Sequence, residues 1–243
     1  METIKVIFNA IAHFFAAWGD KLYNTFIVDS RYEWILDGLG KTLIITVGAL
    51  MIGLVIGTLV ALVKVAAVSN KRLRLPEAIC NIYLTVIRGT PVTVQLMISF
   101  FIIFVSARDG IPVAIITFGI NSGAYTAEII RSGIMSVDKG QAEAGRSLGL
   151  STSQTMKSIV LPQAMKNILP AIGNEMIALL KETSIAGYVA VQDLTKMGNA
   201  IKNTTYDAVN PILVVALIYL VLVMILTKLL KRFERRLRRS DNR

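Results

Sequence analysis

The sequence predicts an all-α protein that crosses a membrane five times, and three observations carry that expectation. Of the 243 residues, 54% are hydrophobic, above the share usual in soluble domains. Four long runs carry no charge: 42–63 between Lys41 and Lys64, 89–107 between Arg88 and Arg108, 110–127 between Asp109 and Glu128, and 208–227 between Asp207 and Lys228. At about 18 to 22 residues, each is long enough for a helix to cross roughly 30 Å of hydrocarbon. Lys and Arg cluster between these runs, which gives the net charge of +10 a direction across the bilayer.

Residues 1–37 form an outer N-terminal segment. Within it, residues 4–18 read as an amphipathic helix on the outer face, with His13 at the interface. Glu2 stands beside Lys5 and no small-x-small cleavage site follows, so the stretch is not read as a secretory signal. The first span is placed over about 38–64. Gly53 and Gly57 share a small-xxx-small spacing there, which fits either a tight helix contact or ordinary membrane-helix glycine. "GLGKT" (38–42) ends like a phosphate-binding loop, but Ile35 stands where that loop needs its first glycine.

The second span is placed over about 76–107, with Pro91 inside it, where partner helices can satisfy the freed backbone groups. Cys80 lies at its start. One Cys and one His leave no intrachain disulfide and no Cys/His metal cluster. The third span covers about 111–133. A fourth, at 167–190, carries Glu175, Lys181 and Glu182 and is inferred from topology. "NKRLR" (70–74), the loop 131–166 and the tail 228–243 are rich in Lys and Arg, so they face the cytoplasm. The chain must therefore leave and return after residue 166, and only 167–190 supplies the outward crossing. The fifth span is 208–227. The N-terminus is then outside and the C-terminus inside, with 38–230 as the membrane domain and 231–243 as a basic cytoplasmic tail. That tail reads as an anchor on anionic membrane lipid and not as a nucleic-acid surface.

The loop 137–162 is polar but structured. Residues 137–148 hold good helix formers. Gly149 can take the positive φ that closes a helix. Ser151 with Gln154 has capping-box spacing, which starts a second helix over about 152–160. Pro162 is expected to interrupt or reorient it. The product is either a rigid two-helix protrusion that can transmit displacement or a compact connector, and periodicity alone does not separate the two.

Ionisable groups inside spans are costly and tend to face the interior or a water-filled cavity. Glu175 falls near mid-membrane with Asn174 beside it. Asn121 reaches similar depth from span three. Tyr125 and Glu128 follow on that span, and Glu128 is spaced i, i+3 from Arg131 on one helix face. Such a set suits a solute with polar or cationic groups. Glu175 pairing with a neighbouring helix instead stays open.

The loop resembles the EAA loop of permeases from binding-protein-dependent ABC importers. Glu143, Ala144 and Gly145 are followed by three residues and Gly149, then nine residues to Ile159, one more, and Leu161–Pro162. Gly145 departs from the alanine usual there. "IRGTPVTVQL" (87–96), "AYTAEIIRSGI" (124–134) and "LPQAMKNILPAIGNEMIALLKETSIAG" (161–187) resemble the polar amino acid subfamily (the histidine, glutamine and arginine type). The resemblance implies a type I ABC importer permease fold in a prokaryotic plasma membrane. It implies Gln141, Glu143, Ala144, Gly145, Arg146, Gly149 and Leu150 as contacts to an ATPase. It also implies two ATPase subunits that bind ATP and Mg, an extracytoplasmic solute-binding protein, and a second permease subunit, identical or a close paralogue. This chain would bind no cofactor and catalyse no reaction. An autonomous channel needs a selectivity filter or a charged pore ring, and neither is evident. Which amino acid is carried is not readable from the sequence.

Overall fold

A computed structural model describes residues 16–68 and 70–238, and among these every regular element is helical. The expected helix over 4–18, His13 and the last residues of the tail lie largely outside the described residues. Residues 16–26 form α1. The remaining helices are α2 (Tyr32–Ala67), α3 (Arg74–Gly89), α4 (Val92–Ile98), α5 (Gly110–Met135), α6 (Lys139–Ser147), α7 (Thr152–Thr155), α8 (Leu161–Glu182), α9 (Leu194–Thr205) and α10 (Asn210–Arg238).

Helix α5 is the centre. Of its most apolar stretch 67% is buried, against 28% for α2 and 6% for α10, so the other two turn most of their apolar surface outward. Phe118 and Ala114 of α5 pack with Ile45 and Ala49 of α2, Leu96 of α4 and Leu179 of α8. The α2–α5 contact settles the glycine spacing left open above. A Cβ on Gly57 would sit 2.6 Å from Thr126 Cβ and 2.9 Å from the Ala127 backbone nitrogen. One on Gly53 would sit 3.0 Å from Ser122 Oγ. Only glycine lets the two backbones approach this closely.

The second span is not a straight helix. Lys71–Gly89 and Val92–Ile103, the latter including a π turn over Ser99–Ile103, meet at 104°. Pro91 lacks an N–H and drives the residue before it out of the helical region. Thr90 accordingly sits at φ −120°, ψ 146°. Pro162, by contrast, does not interrupt its helix. A π turn over Met156–Val160 joins α7 to α8 with helical dihedrals on either side, and Pro162 enters at the first turn of α8. The widened turn has room for a residue without an N–H. The helical path therefore runs from Thr152 to Glu182.

Two further boundaries differ from expectation. Helix α2 begins at Tyr32, ahead of residue 38, and the stretch 167–190 changes to a 3₁₀ helix over Thr183–Val189. Among the described residues three helices are long and apolar enough to cross a membrane, and the bent pair can supply a fourth crossing. Helix α8 has the length, at 22 residues, but Lys166, Glu175, Lys181 and Glu182 lower its hydropathy.

Asp207, 4% exposed, ties α1 to the start of α10. It accepts from Thr25 Oγ1 at 3.0 Å, from Asn210 Nδ2 at 2.6 Å, and from the Val209 and Asn210 backbone nitrogens at 3.2 and 3.3 Å. Lys21 Nζ stands 3.6 Å away, and Trp18 Nε1 donates to Asn210 Oδ1 at 2.8 Å. Burial pushes the Asp207 carboxyl up, but the hydrogen bonds from Asn210, Val209 and Thr25 outweigh it and hold it below the ordinary aspartate value. A depressed native value adds stability above the unfolded-state value, about 3.9, that is lost as pH falls through the native one. Trp18 emission in a Trp34→Phe background should therefore stay constant above about pH 4 and shift to the red below it. Asp207→Ala should give the shifted spectrum at neutral pH, with a loss of roughly 2 kcal/mol from stranded partners. An unshifted Trp18 spectrum in that variant would show that the carboxylate does not hold α1.

Candidate functional site

Two groups of residues stand out. The first is the α6–α7 protrusion. Asp138 caps α6 by accepting from the Gly140 backbone nitrogen. At the other end the Leu150 nitrogen donates to Gly145 O at 3.1 Å and the Gly149 nitrogen to Arg146 O at 2.9 Å, with Gly149 at φ +83°. This is a Schellman closure, which needs the left-handed glycine. Ser151 and Gln154 complete the capping box, the Ser151 nitrogen donating to Gln154 Oε1 at 2.8 Å.

Gly145 is buried against the π turn, and a Cβ there would lie 2.8 Å from Ile159 Cδ1 and 2.9 Å from Thr155 Cγ2. Gln141 Oε1 accepts from Gln163 Nε2 at 3.2 Å, which laces α6 to α8. Gln141, Glu143, Ala144, Arg146 and Gly149 are exposed and Leu150 is half-buried. Of the seven loop residues singled out by sequence, Gly145 thus faces inward and shapes the protrusion, while the exposed ones form its surface. Sequence reasoning passed over Leu148, which is 81% exposed at the tip. Its signal was a large apolar residue directly before the closing glycine.

The second group runs along α5. Asn121, Tyr125 and Glu128 recur at i, i+4 and i+7, one face of a helix, and each meets a different partner. Asn121 Nδ2 donates to Gln95 Oε1 of α4 at 3.0 Å. Ser122 Oγ donates to Glu175 Oε1 of α8 at 2.8 Å. The Arg88 guanidinium of α3 lies 5.5 Å from the centre of the Tyr125 ring, within cation–π range. Glu128 takes two hydrogen bonds from Arg131, with Nε at 3.0 Å, as their spacing predicted. Asn174 is exposed and joins none of these contacts, since one residue along a helix turns it away from Glu175. Gln95, Ser122 and Arg88 were not foreseen; only their positions inside spans marked them. Among the described residues no group of His, Cys, Asp and Glu could hold a metal ion.

The arrangement combines carboxylates, an amide and the guanidiniums of Arg88 and Arg131. Glu175 and Glu128 present carboxylates, and Asn121 has its amide nitrogen engaged.

Residues 53–239 match the family model described as binding-protein-dependent transport system inner membrane component. The chain belongs to that family. This binding-protein-dependent inner membrane component is 40% identical over 214 residues to the arginine transport system permease protein ArtQ of Bacillus subtilis (strain 168), covering 87% of this chain and 95% of that one. It is 35% identical over 210 residues to the glutamine transport system permease protein GlnP of Escherichia coli (strain K12), covering 84% and 93%. Its fold superposes on the crystal structure of an amino acid ABC transporter with histidines at a TM-score of 0.79 and 40% identity, covering 87% and 98%. An inward-facing structure of the MetNI methionine ABC transporter shares the fold at a TM-score of 0.74 and 21% identity, covering 85% and 97%. The resemblance read from the loop is thereby borne out, as is the all-helical membrane fold.

Proposed function

We propose that this chain is the membrane subunit of an ATP-driven importer that carries a polar amino acid, arginine or glutamine in kind, into a prokaryotic cytoplasm. One observation carries the reading. Helix α7 of the capped protrusion and Glu175 lie on one helical path from Thr152 to Glu182, and α6 packs on that path through Gly145, so a push at the loop reaches the polar face of α5. The similarity to ArtQ and GlnP over most of their lengths supports the substrate class.

In this reading two ATPase subunits, which bind the ATP and Mg, grip Gln141, Glu143, Ala144, Arg146, Leu148, Gly149 and Leu150. A solute-binding protein delivers the amino acid from outside. A second permease subunit, identical or a close paralogue, completes the pathway, because five helices are few to enclose one. Glu175, Asn121, Tyr125 and Glu128 face the solute, and alternating access moves it past them. The chain itself binds no cofactor and performs no hydrolysis.

The topology is five crossings with α8 as the fourth, the N-terminus outside and the basic end of α10 inside, near anionic lipid. Three features support it: the Lys and Arg asymmetry, the length of α8, and the docking of α1 on the start of α10. With Cys80 replaced, single cysteines at Asn70 and Tyr206 should label from opposite faces of the membrane; labelling of both from one face would refute the fourth crossing.

The reading is tested by ATP-driven uptake of labelled arginine and glutamine into proteoliposomes holding the full complex. Gly149→Asp places a Cβ at a left-handed position and a charge at the docking surface. It should cut coupled uptake by at least about tenfold while the subunit still inserts; full uptake would sink the coupling role. Glu175→Gln keeps shape and removes charge. It should weaken uptake of arginine more than that of glutamine, and unchanged preference with normal expression would mean Glu175 does not meet the solute.

A further inference from the structure

The corner at Pro91 leaves backbone carbonyls without their helical partners, Ile87 O and Thr90 O among them. Ile87 O would normally accept from residue 91, which is proline and has no N–H. Thr90 O would accept from the Val94 nitrogen, which turns instead to Pro91 O at 3.0 Å. Wherever lipid surrounds such a corner, no water replaces the missing donors. The Gln95 side chain does. Its Nε2 lies 2.7 Å from Ile87 O, 3.1 Å from Thr90 O and 2.8 Å from Thr90 Oγ1.

This fixes which way the amide points. Carbonyl oxygens only accept, so the nitrogen of Gln95 must face the corner and Oε1 must face away. That oxygen is 3.0 Å from Asn121 Nδ2. Asn121 must therefore turn its own nitrogen to Gln95, and no hydrogen bond within the described chain engages its Oδ1. The orientation of a buried asparagine on the central helix is thus set, through one glutamine, by a proline on a neighbouring element.

We propose that Gln95 is the positioning residue of the solute site: it holds Asn121 with Oδ1 presented as an acceptor, so the site selects a solute group rich in N–H donors, an ammonium or guanidinium. This rests on the transport reading above. Glu175 adds a carboxylate from α8, held by Ser122, so the two presented oxygens, Asn121 Oδ1 and the carboxylate, both accept.

A double-mutant cycle in the reconstituted complex tests the assignment. Gln95→Leu, Asn121→Ala and the double variant are compared by KM and kcat for ATP-driven arginine uptake. Each single change should raise KM about tenfold, the equivalent of one charge-assisted hydrogen bond, with a smaller effect on kcat. The double variant should be no worse than Asn121→Ala alone, because Gln95 acts through Asn121. A KM that multiplies to about a hundredfold, or one unchanged in Gln95→Leu, would overturn the proposal. Gln95→Met, unbranched and of similar length, is the second variant if Leu prevents assembly. Failure of both to co-purify with the ATPase would make Gln95 structural only and would equally overturn it. A wild-type complex that takes up neither arginine nor glutamine would instead count against the transport reading itself.

Discussion

The close approach of α2 and α5 is the contact on which the rest of the structure depends. At Gly53 and Gly57 the space for a Cβ is already taken by Ser122, Thr126 and the α5 backbone. Association in a membrane lacks a hydrophobic drive between helices, since lipid is as apolar as leucine. Packing has to supply the specificity, and the absence of side chains on α2 is what brings the surfaces together. With one side of α5 sealed against α2, its remaining faces stay available to α3, α4 and α8, and Asn121 meets α4 while Tyr125 meets α3.

The buried hydroxyls of Thr117, Thr126 and Thr155 have no hydrogen-bond partner among the described residues, whereas several polar groups bridge elements: Asn121 is answered by Gln95, Glu175 by Ser122 and Asp207 by Thr25. Such bonds span large separations in sequence, and they hold corners and caps that apolar packing alone would leave unspecified. The strap at Asp207 and the corner at Pro91 solve one problem in two ways. At the strap a carboxylate collects four donors; at the corner one neutral amide serves the orphan carbonyls.

The parts of this architecture that could be read from sequence are the local ones. The capping box at Ser151, the left-handed Gly149 and the Glu128–Arg131 pair all depend on residues within four positions of one another. The uncharged runs located α2, α5 and α10 because hydropathy measures the environment a helix tolerates. It does not sense backbone geometry, so the 104° corner passed as a straight span although Thr90–Pro91 encodes it. Pro162 misled in the opposite direction, because a π turn is set by packing against Gly145 and not by the proline alone. Gln95 and Ser122 were invisible for another reason. Their partners lie 26 and 53 residues away, and no spacing rule reaches that far.

The continuous path through α7, the π turn and α8 has a mechanical corollary. From Ser151 to Glu175 there are 24 steps along the chain, about 36 Å at 1.5 Å per residue. A rod of that length pivoting by about 5° at one end swings its other end by about 3 Å. That is the reach of one hydrogen bond, enough for Glu175 to part from Ser122. The helix would then work as a lever whose long arm converts a small turn at the loop into the release of a single contact in the interior.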